Sequence, residues 1–148
     1  MKLGVCIVKS HSGIIDPQAT ITSVKKLPVS VKIHYIDSFL GLQDHFLSVQ
    51  EDWTLVLYER ERLDLRFIDA IQVMLAEEKV SAYKFYCVIK TPTAPLIIES
   101  VRLFRKGVCL RKDSLRPSLR DSTIVKILDG WIYEHGTEND ICSVERVA

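Results

Sequence analysis

The sequence lacks most of the features that would assign a chain to a specialised class. It contains no run of about 18 consecutive apolar residues, so we expect no membrane-spanning helix. The amino terminus has no signal-peptide cleavage pattern, and we expect a cytoplasmic protein. Charge of one sign is also lacking, because 20 Lys and Arg residues balance 19 Asp and Glu residues. This balance argues against a protein that holds nucleic acid or an anionic membrane through net charge.

Recognisable metal and nucleotide motifs are missing as well. The four cysteines have no spacing typical of zinc sites. Cys6 and Cys87 lie in apolar runs, where we expect buried, reduced thiols; a disulfide or a reactive thiol is the alternative. The four histidines include no pair at positions i and i+4, which disfavours a zinc site, and His34 is interpreted as a surface residue of a strand. No nucleophile elbow, phosphate-binding loop or dinucleotide glycine motif is present.

What is present is the composition of a folded domain. Of the 148 residues, 47% are hydrophobic and 26% are charged, which is typical of globular proteins. A chain of this length buries roughly two thirds of the surface of its unfolded state, so it needs no disulfide or metal to fold. We predict one domain over residues 1–136 and a polar tail over residues 137–148.

The hydrophobic pattern alternates between strand and helix periods and predicts an α/β fold. Strands are predicted at residues 3–8, 29–36, 53–58, 82–90, 96–104 and 124–133, and helices at 16–26, 40–50 and 64–79. The order places alternating strands and helices first and consecutive strands last. We therefore predict a Rossmann-like mixed sheet with flanking helices, a parallel first half and an antiparallel C-terminal part.

Polar residues follow the first three predicted strands, where ligands of open α/β sheets bind. Lys9 and Ser10 follow the first strand, and Asp37 and Ser38 follow the second. The Asp37 carboxylate suits a ribose hydroxyl or a base N–H, because it accepts two hydrogen bonds at once. The alternative is that Asp37 and Ser38 start a turn or cap the next helix.

A charge cluster, Glu59-Arg60-Glu61-Arg62, follows the third strand. Its carboxylates are candidate ligands for a divalent cation, although the interleaved arginines oppose one; the alternative is a solvated, self-paired surface. A basic stretch from Arg102 to Arg120 could receive phosphate or form a solvated edge. It contains one aromatic residue, Phe104, so we expect no base-stacking surface and no nucleic-acid partner.

Short segments between about Leu3 and Gly136 carry a further pattern. These segments are Cys6–Lys9, Ser23–Lys25, Tyr35–Ser38, Gly41–Phe46, Asp52–Leu57, Glu61–Leu63, Arg102–Gly107, Leu128–Tyr133 and His135. In order and register they resemble the I-V-K-N-E-E, V-V-D-S, Q-R-N, D-W-V-L, E-R-L, R-L-F-R-K and I-x-H motifs of family 2 glycosyltransferases. The resemblance implies the GT-A fold and transfer of a sugar from a nucleoside-diphosphate donor to an acceptor hydroxyl.

Residue by residue, the resemblance implies nucleotide binding by Lys9, Ser10, Asp37 and Ser38, with Asp37 at the nucleoside. The family's chemistry implies manganese or magnesium bound with the nucleoside diphosphate. Glu59 is the remaining candidate metal ligand, since the family's Asp-Ala-Asp is replaced here by Tyr58-Glu59-Arg60.

Two arginines and one carboxylate complete the candidate site. Arg60 and Arg102 are candidate phosphate contacts because guanidinium groups clamp phosphates. Glu61 is the candidate catalytic residue, with a structural role as its alternative. Relative to the family pattern, the sequence is shortened after Ser38. We expect a glycosyltransferase-like protein that transfers or binds a sugar nucleotide; the alternative is a catalytically inactive module that acts through a protein partner or a second copy of itself.

Overall fold

The computed structural model describes residues 1–9, 17–89, 91–108, 110 and 124–134, with only the backbone described for Phe39 and residues 124–130. These residues form seven strands and three helices. In chain order they are β1 (Lys2–Val8), α1 (Gln18–Lys25), β2 (Ser30–Ile36), α2 (Phe39–Leu47), β3 (Trp53–Tyr58), β4 (Glu61–Leu63), α3 (Leu65–Ala76), β5 (Ala82–Ile89), β6 (Leu96–Arg105) and β7 (Ile124–Glu134).

Every predicted helix and strand is present, and the α/β class is confirmed. The predicted helices extend too far at their carboxyl ends. Helix α3 ends at Ala76 rather than at Lys79, because Glu77 takes an extended conformation (ψ 111°). Acidic side chains at 77 and 78 would also oppose the helix dipole there. The sequence prediction missed β4, a three-residue strand inside the charge cluster.

The strands form one mixed sheet in the order β2-β1-β3-β6-β5-β7-β4. Strand β1 pairs in parallel with both β2 and β3. The predicted antiparallel part is confirmed for the pairs β3–β6, β5–β6 and β4–β7. It is wrong for β5 and β7, which run parallel, because β6 occupies one edge of β5 and β7 takes the other.

Helices cover both faces of the sheet. Helices α1 and α3 pack on one face through residues such as Val24 and Phe67, together with Leu3, Val5 and Ile7 of β1. Helix α2 packs on the other face through Leu42 and Phe46, against Cys6 and Val8 of β1. The central strand is therefore buried on both faces, which explains its continuous apolar run.

The structure tests the predictions on the thiols and on membrane-spanning helices only for the residues that it describes. Cys6 and Cys87 are buried free thiols, as predicted. Cys109, Cys142, Ser10, Asp16 (the first residue of the first predicted helix) and the predicted tail over residues 137–148 lie outside the described residues. Among the helices that the structure describes, none has the length and apolar character to cross a bilayer.

Candidate functional site

The carboxyl ends of the three parallel strands meet at one edge of the sheet, as predicted. The Lys9 amide donates to the Ile36 carbonyl over 2.9 Å, and the Glu59 amide donates to the Val8 carbonyl over 3.2 Å. These bonds hold the ends of β2, β1 and β3 side by side. We call Lys9, Asp37, Ser38, Glu59 and Arg60 the carboxyl edge.

The connections from β1 to β2 and from β2 to β3 pass over opposite faces of the sheet, through α1 and α2. Strands β2 and β3 lie on opposite sides of β1. This is the topological switch point at which open α/β sheets bind ligands. The fold thus places the carboxyl edge where a ligand site is expected.

At this edge the side chains of Asp37 and Ser38 have different surroundings. Asp37 is exposed, as is Lys9. The Ser38 hydroxyl accepts a hydrogen bond from the Gly41 amide over 3.1 Å and caps α2. The capping interpretation of Ser38 is therefore confirmed, whereas the Asp37 carboxylate faces solvent.

The other end of the carboxyl edge is anchored to neighbouring elements. The Glu59 carbonyl accepts a hydrogen bond from the Thr20 hydroxyl over 2.7 Å, which ties the edge to α1. The Arg60 guanidinium, with 40% of its side chain exposed, lies 3.9 Å from the Glu134 carboxylate of β7. This contact spans two elements, rather than pairing neighbours within the charge cluster.

Glu61 and Arg102 form a buried ion pair beneath the carboxyl edge. Arg102 Nη1 and Nη2 donate to the two carboxylate oxygens of Glu61, the second over 2.9 Å. The remaining donors reach the Val56 carbonyl over 3.3 Å and the Ser100 hydroxyl over 2.8 Å. Only 4% of the Arg102 side chain and 8% of the Glu61 side chain are exposed. This burial leaves neither group facing solvent.

The surroundings of the pair match its charges. Burial lowers the pKa of Arg102 because it disfavours the charged guanidinium. The charge and the hydrogen bonds of the Glu61 carboxylate have the opposite effect, and the pKa of Arg102 lies above its usual range. The Arg102 guanidinium also lies 5.0 Å from the centre of the Tyr58 ring. Glu61 accepts a further hydrogen bond from the Tyr58 amide over 2.7 Å. The geometry therefore favours the structural role for Glu61, and it gives Arg102 a carboxylate partner in place of phosphate.

A cleft of about 530 Å³ opens between α1, β4 and α3, next to Tyr133 of β7. Its walls include three cationic residues, Lys26, Arg62 and Arg66. Arg66 Nε donates to Asp64 over 3.0 Å, and its guanidinium lies 5.6 Å from the centre of the Trp131 ring. The sequence did not predict this cleft, because its walls come from distant segments.

The structure also brings together three residues that the sequence did not connect: His34 of β2, His45 of α2 and Glu51 before β3. Their candidate ligand atoms all lie within 4.8 Å of one another. His34 Nε2 is 2.7 Å from Glu51 Oε1, and the two imidazole centres are 4.5 Å apart. The interpretation of His34 as a simple surface residue is therefore wrong. The i, i+4 criterion missed the cluster because each member lies on a different element.

Ionisation in this cluster follows from burial and hydrogen bonding. Burial, with the neighbouring His34, lowers the pKa of His45 despite the opposing effect of Glu51. Burial raises the pKa of Glu51, but hydrogen bonds from His34 and from backbone amides outweigh it and bring the pKa below its usual value. The cluster thus holds a carboxylate and a neutral imidazole at neutral pH.

No protein-family model matches the chain, and no curated protein matches it.

Proposed function

We propose that the protein binds a nucleoside-diphosphate sugar at the carboxyl edge and is glycosyltransferase-like in the manner of a shortened GT-A domain. The observation that carries the proposal is the position of Lys9 and Asp37, both exposed, at the switch point of a parallel β2-β1-β3 arrangement. An exposed carboxylate there can accept hydrogen bonds from both ribose hydroxyls.

Charge at the carboxyl edge supports the same ligand class. Lys9, directly after β1, is exposed, and Arg60, after β3, is partly exposed; these two cationic side chains provide positive charge for a diphosphate. Ser38 supports the carboxyl edge indirectly, because its hydroxyl caps α2 at the start of that helix.

The described residues do not fit the divalent cation that the family chemistry implies. Glu59 is followed by Arg60, whose charge opposes a cation. The next carboxylate, Glu61, is already bound through both oxygens to Arg102. We therefore propose nucleotide binding that does not depend on manganese or magnesium.

Thermal unfolding with and without nucleotides tests the proposal. Uridine and guanosine diphosphates and their sugar conjugates are added with and without manganese. Saturation at about 100 times the Kd stabilises the folded protein by about 2.7 kcal/mol, a rise in Tm of roughly 5–10 °C. We expect this rise for one nucleotide in the wild type, with or without manganese, and its loss in Asp37→Ala.

Asp69→Asn is the matched control, since Asp69 is an exposed carboxylate on α3, away from the carboxyl edge. It is expected to retain the full rise. The absence of any rise in the wild type, or an equal rise in Asp37→Ala, would contradict the proposal.

A second function, a catalytically inactive binding or assembly module, is favoured by the Glu61–Arg102 pair. The candidate catalytic carboxylate, Glu61, is buried and ion-paired with Arg102, so it is not available to accept a proton from an acceptor hydroxyl. Two large apolar side chains on α2, Leu40 and Leu47, are exposed and offer a surface for a protein partner. Sugar transfer or donor hydrolysis that disappears in Asp37→Ala would contradict this second function.

A further inference from the structure

We propose that His34, His45 and Glu51 form a binding site for a divalent transition-metal ion, with Zn²⁺ as the ion that the donor set fits best. The site lies on the face of the sheet that α2 covers. It is independent of the nucleotide proposal, because none of its three residues belongs to the carboxyl edge.

The three donors converge from separate elements. Strand β2 provides His34, which is paired with Cys6 of β1 in the parallel register. Helix α2 provides His45, one residue before the buried Phe46. Glu51 lies in the segment that enters β3, and its side chain is only 5% exposed. Packing of α2 on the sheet therefore fixes the geometry of the donors.

Gly4 makes room for the carboxylate. A Cβ atom at position 4 would lie 3.1 Å from Glu51 Cδ and 3.3 Å from Glu51 Oε2. A larger residue at this position of β1 would require the Glu51 side chain to shift by a few tenths of an ångström. The space beside the sheet is thus occupied by a carboxylate rather than by an apolar side chain.

The donor atoms, all within 4.8 Å of one another, need side-chain adjustments to reach the spacing of a bound ion. In zinc sites the metal lies roughly 2.0–2.2 Å from imidazole nitrogen and carboxylate oxygen, which separates tetrahedral donors by roughly 3.3 Å. His34 Nε2 and Glu51 Oε1 are 2.7 Å apart, at hydrogen-bonding distance. A metal bound by both atoms needs them to separate by about half an ångström, which side-chain rotation provides.

One donor atom lacks a partner. His45 Nε2 is buried and has no hydrogen bond within the part of the chain that the structure describes. A buried polar atom without a partner lowers the stability of the folded state, and a bond to a metal ion would satisfy it.

The donor types select the ion. Two imidazoles and one carboxylate suit Zn²⁺ and its neighbours in the first transition row, whereas Mg²⁺ and Ca²⁺ prefer oxygen donors alone. Three protein ligands leave a fourth tetrahedral position for water. The single carboxylate charge offsets half of the charge of the ion.

Spectroscopy of the full chain loaded with Co²⁺ tests the site directly. The purified protein is stripped with a chelator and titrated with Co²⁺, and then with Zn²⁺ in competition. We expect saturation at one equivalent and visible absorption of a tetrahedral ion with nitrogen and oxygen donors. Displacement by one equivalent of Zn²⁺ should remove the absorption. A sulfur-to-cobalt charge-transfer band, or no saturation at one equivalent, would overturn the proposal.

Variants locate the ion on the protein. His45→Gln and Glu51→Gln are each expected to weaken Co²⁺ affinity at least about tenfold. Asp44→Asn, an exposed carboxylate next to His45 on α2, is the matched control and should bind as the wild type does. Equal affinity in all four proteins would overturn the site.

A measurement on the wild type guards against variants that do not fold. The imidazole resonances of His34 and His45 should both shift when one equivalent of Zn²⁺ is added. If the shifts are confined to His11 and His135, the ion binds elsewhere and the proposal fails.

Discussion

At the scale of single residues, the charge on Arg102 depends on Glu61. Both carboxylate oxygens face the guanidinium, and both side chains are almost entirely buried. A buried pair of this kind contributes little relative to a pair of apolar residues, but removal of one partner leaves a charge without compensation in a medium of low dielectric constant. The arrangement therefore makes position 61 intolerant of substitution for reasons of folding rather than catalysis.

Glu61→Ala is expected to lower the free energy of unfolding by about 3–5 kcal/mol, because Arg102 then stays buried without a countercharge. Urea unfolding monitored by circular dichroism measures the loss. Arg60→Gln is the control from the same charge cluster: its partner Glu134 is 3.9 Å away and its side chain is 40% exposed, so we expect a change within about 1 kcal/mol. Similar losses for the two variants would show that the buried pair has no special importance.

The thiols of Cys6 and Cys87 provide a second test at this scale. Burial, reinforced by Glu51, raises the pKa of Cys6 to about 12. Burial also raises the pKa of Cys87 to about 11, despite the opposing effect of Arg102. A raised thiol pKa means that the thiolate, the reactive form, is scarce throughout the neutral range.

In a Cys109→Ala, Cys142→Ala background, we expect the native protein to resist a disulfide reagent from pH 7 to pH 9. The same protein in denaturant should react at both thiols, with a rate that rises roughly tenfold per pH unit until the ordinary thiol pKa of about 8.5 is reached. The absorbance of the released thiolate measures both rates. Rapid reaction of the native protein at pH 8 would contradict the buried, protonated state of these cysteines.

At the scale of elements, both the second and third helices begin at a side chain that accepts a backbone hydrogen bond. Ser38 accepts from Gly41 at the start of α2, and Asp64 accepts from Phe67 at the start of α3. Asp64 also accepts from the Trp131 amide of β7 over 3.1 Å, which joins the helix to the sheet. Caps of this kind set where each helix starts and hence where the preceding strand ends.

Ser38→Ala is expected to lower the free energy of unfolding by about 1 kcal/mol, because the Gly41 amide loses its acceptor. Ser38→Asp should restore the lost stability, since aspartate caps a helix equally well. Ser48→Ala, at the opposite end of α2, is the control and should change stability by less than about 0.5 kcal/mol. Urea titrations of the three variants measure the differences. Full stability in Ser38→Ala would mean that the cap contributes nothing.

Helices and strands could be predicted from the sequence wherever the hydrophobic residues followed a single pattern, either that of a helix or that of a strand. The continuous apolar runs of β1 and β3 are those of strands buried on both faces. Strand β4 was not predicted because Glu61 is a charged residue in a charged segment. It is buried through its ion pair with Arg102, which lies 41 residues away in the sequence. The parallel pairing of β5 and β7 was missed for a similar reason, since strand order depends on contacts distant in sequence.

The candidate sites divide in the same way. Asp37 and Lys9 were predictable because position after a strand places a residue at the carboxyl edge. The cluster of His34, His45 and Glu51 was not, because its members come from a strand, a helix and a connecting segment. Gly4, which leaves space for Glu51, carries no local signal of that role.

At the scale of the whole molecule, one sheet joins two apolar clusters. Helices α1 and α3 cover one face, and α2 covers the other, but both clusters include residues of β1, β3, β5 and β6. A loss of packing on either face therefore weakens strands that support the opposite face. We expect cooperative unfolding of both faces in a single transition.

Leu42→Ala on α2 and Leu75→Ala on α3 test this coupling, since the two side chains are 0% and 3% exposed. Each substitution is expected to lower the free energy of unfolding by about 2–5 kcal/mol through lost burial and a residual cavity. Because the sheet is shared, far-ultraviolet circular dichroism and tryptophan fluorescence should report the same midpoint in urea for each variant, with an unchanged m value.

Leu47→Ala and Val73→Ala, at sites 77% and 75% exposed on the same two helices, are the matched controls and should stay within about 0.5 kcal/mol of the wild type. Separate midpoints for the two probes in Leu42→Ala would mean that the α2 face unfolds on its own and that the sheet does not couple the two clusters.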